Sequence, residues 1–205
     1  MPKDTTTGSS AGREGECACQ VGRRAIVKGL ALAGCAAATE MLSGSSAFAE
    51  SKRSRPEPGD HLVYMTGDNE GKVVNPADVK LGEPPVLVYP MDPKTQTVIQ
   101  SRASLLLLVR LKEDEIGPST KPHSADGIVA YSAVCTHNGC PITSIHENKR
   151  MIVCNCHGST FDVGNDGAVA HGPATRKLAM LPVAITDGAL VVAGKLDGPI
   201  GPPAA

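Results

Sequence analysis

Cys135-Thr136-His137-Asn138-Gly139-Cys140 and, after thirteen residues, Cys154-Asn155-Cys156-His157-Gly158-Ser159 are the stretch from which the rest of the chain can be read. Each cassette offers one cysteine and one histidine at ligand spacing, and one further cysteine. Two thiolates and two imidazoles can together hold a metal centre. Gly139 and Gly158 stand beside the last member of each set. Glycine lets the backbone turn sharply there, approach a bound group closely, or take a positive φ.

The order C-x-H-x-x-C followed by C-x-C-H resembles the Rieske iron–sulfur family at all six positions. That resemblance implies a single [2Fe–2S] cluster, with Cys135 and Cys154 on one iron and His137 and His157 on the other. It implies a Cys140–Cys156 disulfide that clamps the two ligand loops. A zinc knuckle also takes two cysteines and two histidines, but it gives the two further cysteines no role at their regular offsets. Two plain disulfides would leave the histidines idle. Further along, His171-Gly172-Pro173-Ala174 resembles the family's third loop, in which a Gly172-Pro173 turn would cover the cluster. Proline, with its fixed φ and no amide hydrogen, makes a stiff lid. Ser159 stands where the family often has a serine that bonds a bridging sulfide. Phe161 stands where it often has a tyrosine, and the missing hydroxyl implies a lower potential than in high-potential quinol–cytochrome members.

Replacing two thiolates by neutral imidazoles removes two negative charges, so an added electron is easier to accept. Rieske centres accordingly lie at roughly −150 to +300 mV, against about −400 mV for plant-type ferredoxins. An imidazole bound through one ring nitrogen keeps the other for a proton, which couples electron and proton uptake. It also offers a way to accept hydrogen-bonded quinol if His137 and His157 are exposed. His61, His123, His146 and His171 lack paired partners and read as surface or loop residues.

The bulk properties suit one domain plus a leader: 205 residues, net charge −1, no tryptophan, and five aromatic side chains. That charge favours neither nucleic acid nor an anionic membrane surface. With so few aromatics, the core must come from Val, Ile, Leu, Ala and Met. From Asp60 onward, short Val/Ile/Leu-rich runs alternate with turn residues, and no long apolar stripe of helical period occurs. Strands are expected at Val86–Tyr89, Leu105–Leu111, Ile128–Ala133, Met151–Cys154, Met180–Ile185 and Leu190–Ala193. Prolines, Pro90 among them, bound these runs. Leu105 to Val109 is continuously apolar, so its strand should be buried on both faces. Thr186-Asp187-Gly188 signals a hairpin, Asn165-Asp166-Gly167 a second turn, and Asp162 a turn cap. Lys112-Glu113-Asp114-Glu115 reads as a solvated loop. The class is all-β, in layered antiparallel sheets. This agrees with the Rieske fold, a β-sandwich with a small cluster-binding subdomain at its tip. The expected organisation is a leader at 1–49, a linker at 50–59, the Rieske domain at 60–196 with its subdomain at about 128–174, and a tail at 197–205.

In the leader, Arg23-Arg24 before the short apolar run Ala25–Ala38 resembles a twin-arginine export signal. That run is too short to span a bilayer. Ala47-Phe48-Ala49 fits a cleavage box that would leave Glu50 as the mature N-terminus. Leu32-Ala33-Gly34-Cys35 reads alternatively as a lipoprotein box, and retention as a weak anchor is a third fate. Cys17 and Cys19 have no paired histidine. Cluster assembly needs a reducing compartment and the disulfide an oxidising one. Export of an already folded protein to the periplasmic side of the membrane reconciles the two.

The resemblance divides over the complex served. Pro85-Val86-Leu87-Val88-Tyr89-Pro90, Gly127-Ile128-Val129-Ala130-Tyr131-Ser132, the leader and Phe161 resemble the arsenite oxidase small subunit, which takes electrons from a large molybdenum-containing subunit. Cys156-His157-Gly158-Ser159 and Gly172-Pro173-Ala174 resemble the Rieske subunit of quinol–cytochrome c reductase, whose larger partner is a cytochrome b. The balance leans to the first. Either implies an electron-relay subunit with a larger redox partner, an acceptor such as cytochrome c, and no catalysis by the chain alone. A Rieske oxygenase would need a further two-His, one-carboxylate iron site, and after His157 only His171 remains.

Overall fold

The structure, a computed structural model, describes residues Arg53 to Pro203. The expectations at Cys17, Cys19, Arg23-Arg24, Cys35 and Ala49 lie outside the described residues. Among those residues there are twelve strands, four three-residue 3-10 turns and no α-helix. The all-β class expected from the run pattern is therefore the class observed.

The strands are β1 (His61–Tyr64), β2 (Val86–Asp92), β3 (Thr97–Val98), β4 (Leu106–Arg110), β5 (Ile128–Ser132), β6 (Ser144–Ile145), β7 (Met151–Cys154), β8 (Ser159–Asp162), β9 (Ala168–His171), β10 (Met180–Leu181), β11 (Val183–Thr186) and β12 (Ala189–Val192). Eight of them form one sheet, ordered β10-β5-β4-β2-β1-β12-β11, with β3 paired to β2. The other four form a smaller sheet in the order β6-β7-β8-β9. Every ladder is antiparallel.

β4 organises the packing. Its central position makes both faces buried, as its unbroken apolar run requires: Leu106, Leu107 and Leu108 are fully buried and Val109 nearly so. Side chains alternate across a strand, so this run serves two cores. Leu107 and Val109 pack with Ile152, Phe161 and Val163 of the small sheet's region. Leu106 and Leu108 pack with Leu62, Val88, Leu190 and Val192 on the other side. Burying one such side chain contributes about 1.5–3 kcal/mol.

Turn chemistry sets the registers. Asp187 and Gly188, at φ +51° and +79°, give the hairpin between β11 and β12 two left-handed central residues. That is the I′ geometry, whose twist matches the strands it joins. Asp166 and Gly167 take the same pair of conformations before β9. Asp162 caps the preceding turn by accepting from the Gly164 amide, and Arg150 grips both its carboxylate oxygens.

Two prolines behave differently from expectation. Pro90 does not bound a strand; β2 runs through it, paired opposite Leu62 of β1. Its carbonyl accepts from Ile99 on the other side. A residue's N–H and C=O point the same way in a strand, so the missing amide falls beyond Val88, the last β2 residue paired with β4, and the β1 ladder loses nothing. The single strand expected at Met180–Ile185 is instead two, separated at Pro182: β10 pairs with β5 and β11 with β12. The runs at β1, β3, β6, β8 and β9 carry no expectation from their sequence, being two to four residues long. The segment at 197–203 packs back on the domain, with Asp197 bonded to the Met180 amide and to Lys177.

Tyr131 of β5 ties the large sheet to the loop after β8. Its ring is fully buried and its hydroxyl donates to the Val163 carbonyl at 2.8 Å. Burial, reinforced by Asp166, Asp197 and Asp162, pushes the phenol pKa well above its ordinary value of 10. The stability this protonated phenol contributes is complete below that value and is lost as pH rises above it. Tyr131→Phe should therefore cost about 1–2 kcal/mol at neutral pH yet show a shallower alkaline decline. Thermal unfolding across this pH range checks it, and parallel declines in the two proteins would remove Tyr131 as a cause.

Candidate metal centre

The two cassettes fold into the same turn twice. The first follows β5: Gly139 donates its amide to the Cys135 carbonyl at 2.8 Å. The second joins β7 to β8: Gly158 donates to the Cys154 carbonyl at 2.9 Å. Both glycines are left-handed, at φ +75° and +74°, a conformation that costs other residues about 1–2 kcal/mol. Each turn thus closes four residues after its cysteine and presents that cysteine and a histidine between sheet and solvent.

Cys140 and Cys156 form a disulfide across the two turns, with Cα atoms 6.6 Å apart. The pairing that the resemblance implied is present. Cys135 and Cys154 remain as free, buried thiols. The Cys154 sulfur lies within 4.8 Å of both disulfide sulfurs, but those two are spent on each other and offer no thiolate. Its thiol partner is Cys135. Burial pushes the Cys154 thiol pKa up, the Cys135 thiol beside it pushes it further, and the Cys156 and His157 amides oppose the rise. Those amides are donors that a thiolate ligand would use. His137 and His157 form the second pair, ring centroids 4.7 Å apart and planes at 80°. His137 is half-buried and His157 exposed.

The donor set fits a two-metal centre with sulfur on one side and nitrogen on the other. The sharpest indication is His137 Nδ1, which is buried and has no hydrogen-bond partner. Such an orphaned nitrogen is costly unless something outside the protein meets it. The two thiols lie buried in the same apolar wall, which includes Phe161.

The third loop lies against the second cassette. Gly172 is left-handed at φ +88°, and a Cβ there would meet the Ser159 Cα at 2.6 Å and the Gly158 carbonyl at 2.8 Å. Pro173 beside it is exposed. Ser159 is fully buried, and its oxygen accepts from the Ala174 amide at 3.1 Å. That bond leaves the hydroxyl proton available. Phe161 is fully buried, registered opposite Ile152 of β7. Of the other histidines, His61 lies on β1, His123 in a 3-10 turn and His171 on β9, while His146 Nδ1 accepts from Asn148 in the β6–β7 turn.

Two supports have no signal in the motif. Arg102, far upstream, donates to the Gly139 carbonyl. Thr136 Oγ1 donates to the Arg176 carbonyl at 2.5 Å. The only hint of the second is a hydroxyl-bearing residue between Cys135 and His137, and nothing hints at the first.

Gly158 and Gly172 separate two kinds of constraint. A Cβ on Gly158 meets nothing within 4 Å, so Gly158→Ala should cost only its backbone strain, about 1–2 kcal/mol. Gly172→Ala meets fixed backbone and should cost more, with loss of bound metal. Melting temperature and metal per chain, compared for the two variants, check this; equal effects would refute the close packing of the third loop.

A family model described as "Rieske [2Fe-2S] domain" matches residues 69–182. Over 153 residues the chain is 35% identical to the cytochrome bc1 complex Rieske iron-sulfur subunit of Streptomyces lividans, covering 70% of this chain and 85% of that one. The subunit of the same name from Streptomyces coelicolor is also 35% identical over 153 residues, again 70% of this chain, but this is 41% of that longer protein. In structure, the cyanobacterial plasma membrane Rieske protein PetC3 from Synechocystis PCC 6803 aligns with a TM-score of 0.34 and 25% identity, covering 52% of this chain and 84% of that one.

Proposed function

The chain belongs to the Rieske [2Fe–2S] domain family, and from that premise we propose that Cys135 and Cys154 hold one iron of its cluster and His137 and His157 the other. The observation that carries this reading is the sorting of the donors: two free thiols together, two imidazoles together, and the remaining cysteines consumed in one disulfide. When bound, a [2Fe–2S] cluster accepts and returns one electron, and two neutral imidazole ligands raise the potential at which it does so. The chain acts as a Rieske electron-transfer subunit.

Each side chain then has a task. The buried thiols exclude water from the sulfur side. His137, bonding through its orphaned Nδ1, would keep its proton on Nε2. His157 is exposed and would form the edge through which an electron partner, or a quinol hydroxyl, comes close. Ser159 keeps its proton to give to a sulfur while its oxygen is pinned by Ala174. Gly172 and Pro173 close the third side.

The setting is a larger respiratory complex. The arsenite-oxidase-like reading keeps its support in the stretches Pro85–Pro90 and Gly127–Ser132 and in Phe161. The bc-type reading gains support from the bc1 names of the relatives. Purification from native membranes with identification of the large subunit, molybdenum-containing or cytochrome b, decides between them. The disulfide favours an oxidising compartment, in line with export by the twin-arginine route to the periplasmic side. Among the described residues no helix is long and apolar enough to cross a membrane.

The purified chain should carry two irons and two labile sulfides, and after dithionite reduction give the low-temperature EPR signal of a mixed N/S-ligated centre. Cys135→Ser, Cys154→Ser, His137→Ala or His157→Ala should each abolish that signal while the fold is retained. A colourless, iron-free protein with the same melting curve would end the reading. Phe161→Tyr should raise the reduction potential by adding a hydroxyl within the wall behind the thiols; an unchanged potential would remove Phe161 from the tuning.

A further inference from the structure

The described residues include six arginines. Arg53, Arg110 and Arg150 each have a carboxylate partner. Arg55, Arg102 and Arg176 have none among the described residues, and the three converge on one place. Arg55 and Arg102 line an open cleft of about 510 Å³, together with Asn138 and Gly201. Arg176 stands behind it, donating to the Gly201 carbonyl, with its Nε buried and without a partner. No acidic side chain lines the cleft. The two arginine-bearing segments are held in register, since the Ser101 hydroxyl donates to the Ser54 carbonyl at 2.9 Å.

Uncompensated guanidinium groups gathered at a cavity repel one another, and the arrangement is relieved by an anion. The guanidinium fork matches the planar, two-oxygen face of a carboxylate. The rest of the lining, Val134, Ile200 and Pro202 among it, suits a short hydrocarbon stem behind that carboxylate. We propose that this cleft is a carboxylate-binding site set beside the loop that carries His137. The carboxylate belongs either to a free small molecule or to an acidic side chain of a docking protein; both present the same chemistry. Arg55 and Arg102 hold it bidentately and Asn138 offers a further polar contact. The site stands on the arginine geometry alone and does not require the ligand assignments above.

Calorimetric titration of the full chain at low ionic strength tests it with two probes, succinate and the peptide Ac-Gly-Glu-Ala-NH2, against neutral succinamide. Saturable binding of either charged probe, absent for succinamide and weakened about tenfold by Arg55→Gln, supports the site. Arg55 makes no bond to the ligand loops, so that variant should melt like the parent; Arg102→Gln, which also frees Gly139, serves as the second variant. Binding of succinate without the peptide assigns the site to a free carboxylate, and binding of the peptide without succinate assigns it to a partner's side chain. Neither probe binding, or Arg55→Gln binding as the parent does, overturns the proposal.

Discussion

The structure depends on holding two short turns against each other at fixed distance. Neither turn could do so alone: each is only a few residues long and is closed by one or two backbone hydrogen bonds, Gly139 to Cys135 and Cys135 to Cys140 in the first, Gly158 to Cys154 in the second. The Cys140–Cys156 bond supplies what hydrogen bonding cannot, a link indifferent to water. It removes freedom from the unfolded chain as well as fixing the folded one. Behind the turns, the apolar wall containing Ile152, Phe161 and Val163 gives both a common backing. Rigidity matters because an electron carrier works best when its ligands move little between oxidation states.

The same arrangement separates two environments. On the sulfur side the walls are apolar and the thiols buried; on the nitrogen side one imidazole is half covered and the other meets solvent. In the second cassette that contrast follows from where the strand stops: Cys154 is the last residue of β7, still inside the layer, whereas His157 lies beyond it in the turn. A centre built across this boundary is insulated on one flank and available on the other.

Much of this could be read beforehand. The six motif positions, the paired glycines and the turn at Asp187-Gly188 have local causes, so short sequence windows hold them. The run at Leu105 to Val109 was readable for a different reason, since only a strand with two covered faces tolerates five apolar residues in succession. What could not be read depends on distant partners. Strands of two residues such as β3 and β6 exist because a neighbour offers a ladder, not because of their own composition. Pro90 reads as a boundary because its tolerance rests on where the β2–β4 ladder stops. Arg102 and Arg176 have no local pattern at all, and their meaning comes from the fold bringing residues 37 and 25 positions away to their side chains.

β4 carries a consequence for how the molecule comes apart. Its alternating leucines are shared, one set by the wall behind the thiols and the other by the interior on the far face of the sheet. Neither region can melt while the other keeps its packing, because each would strip apolar partners from the same strand. Heating should thus erase the wall behind the thiols and the sheet interior as one thermodynamic unit, leaving no half-folded form to linger.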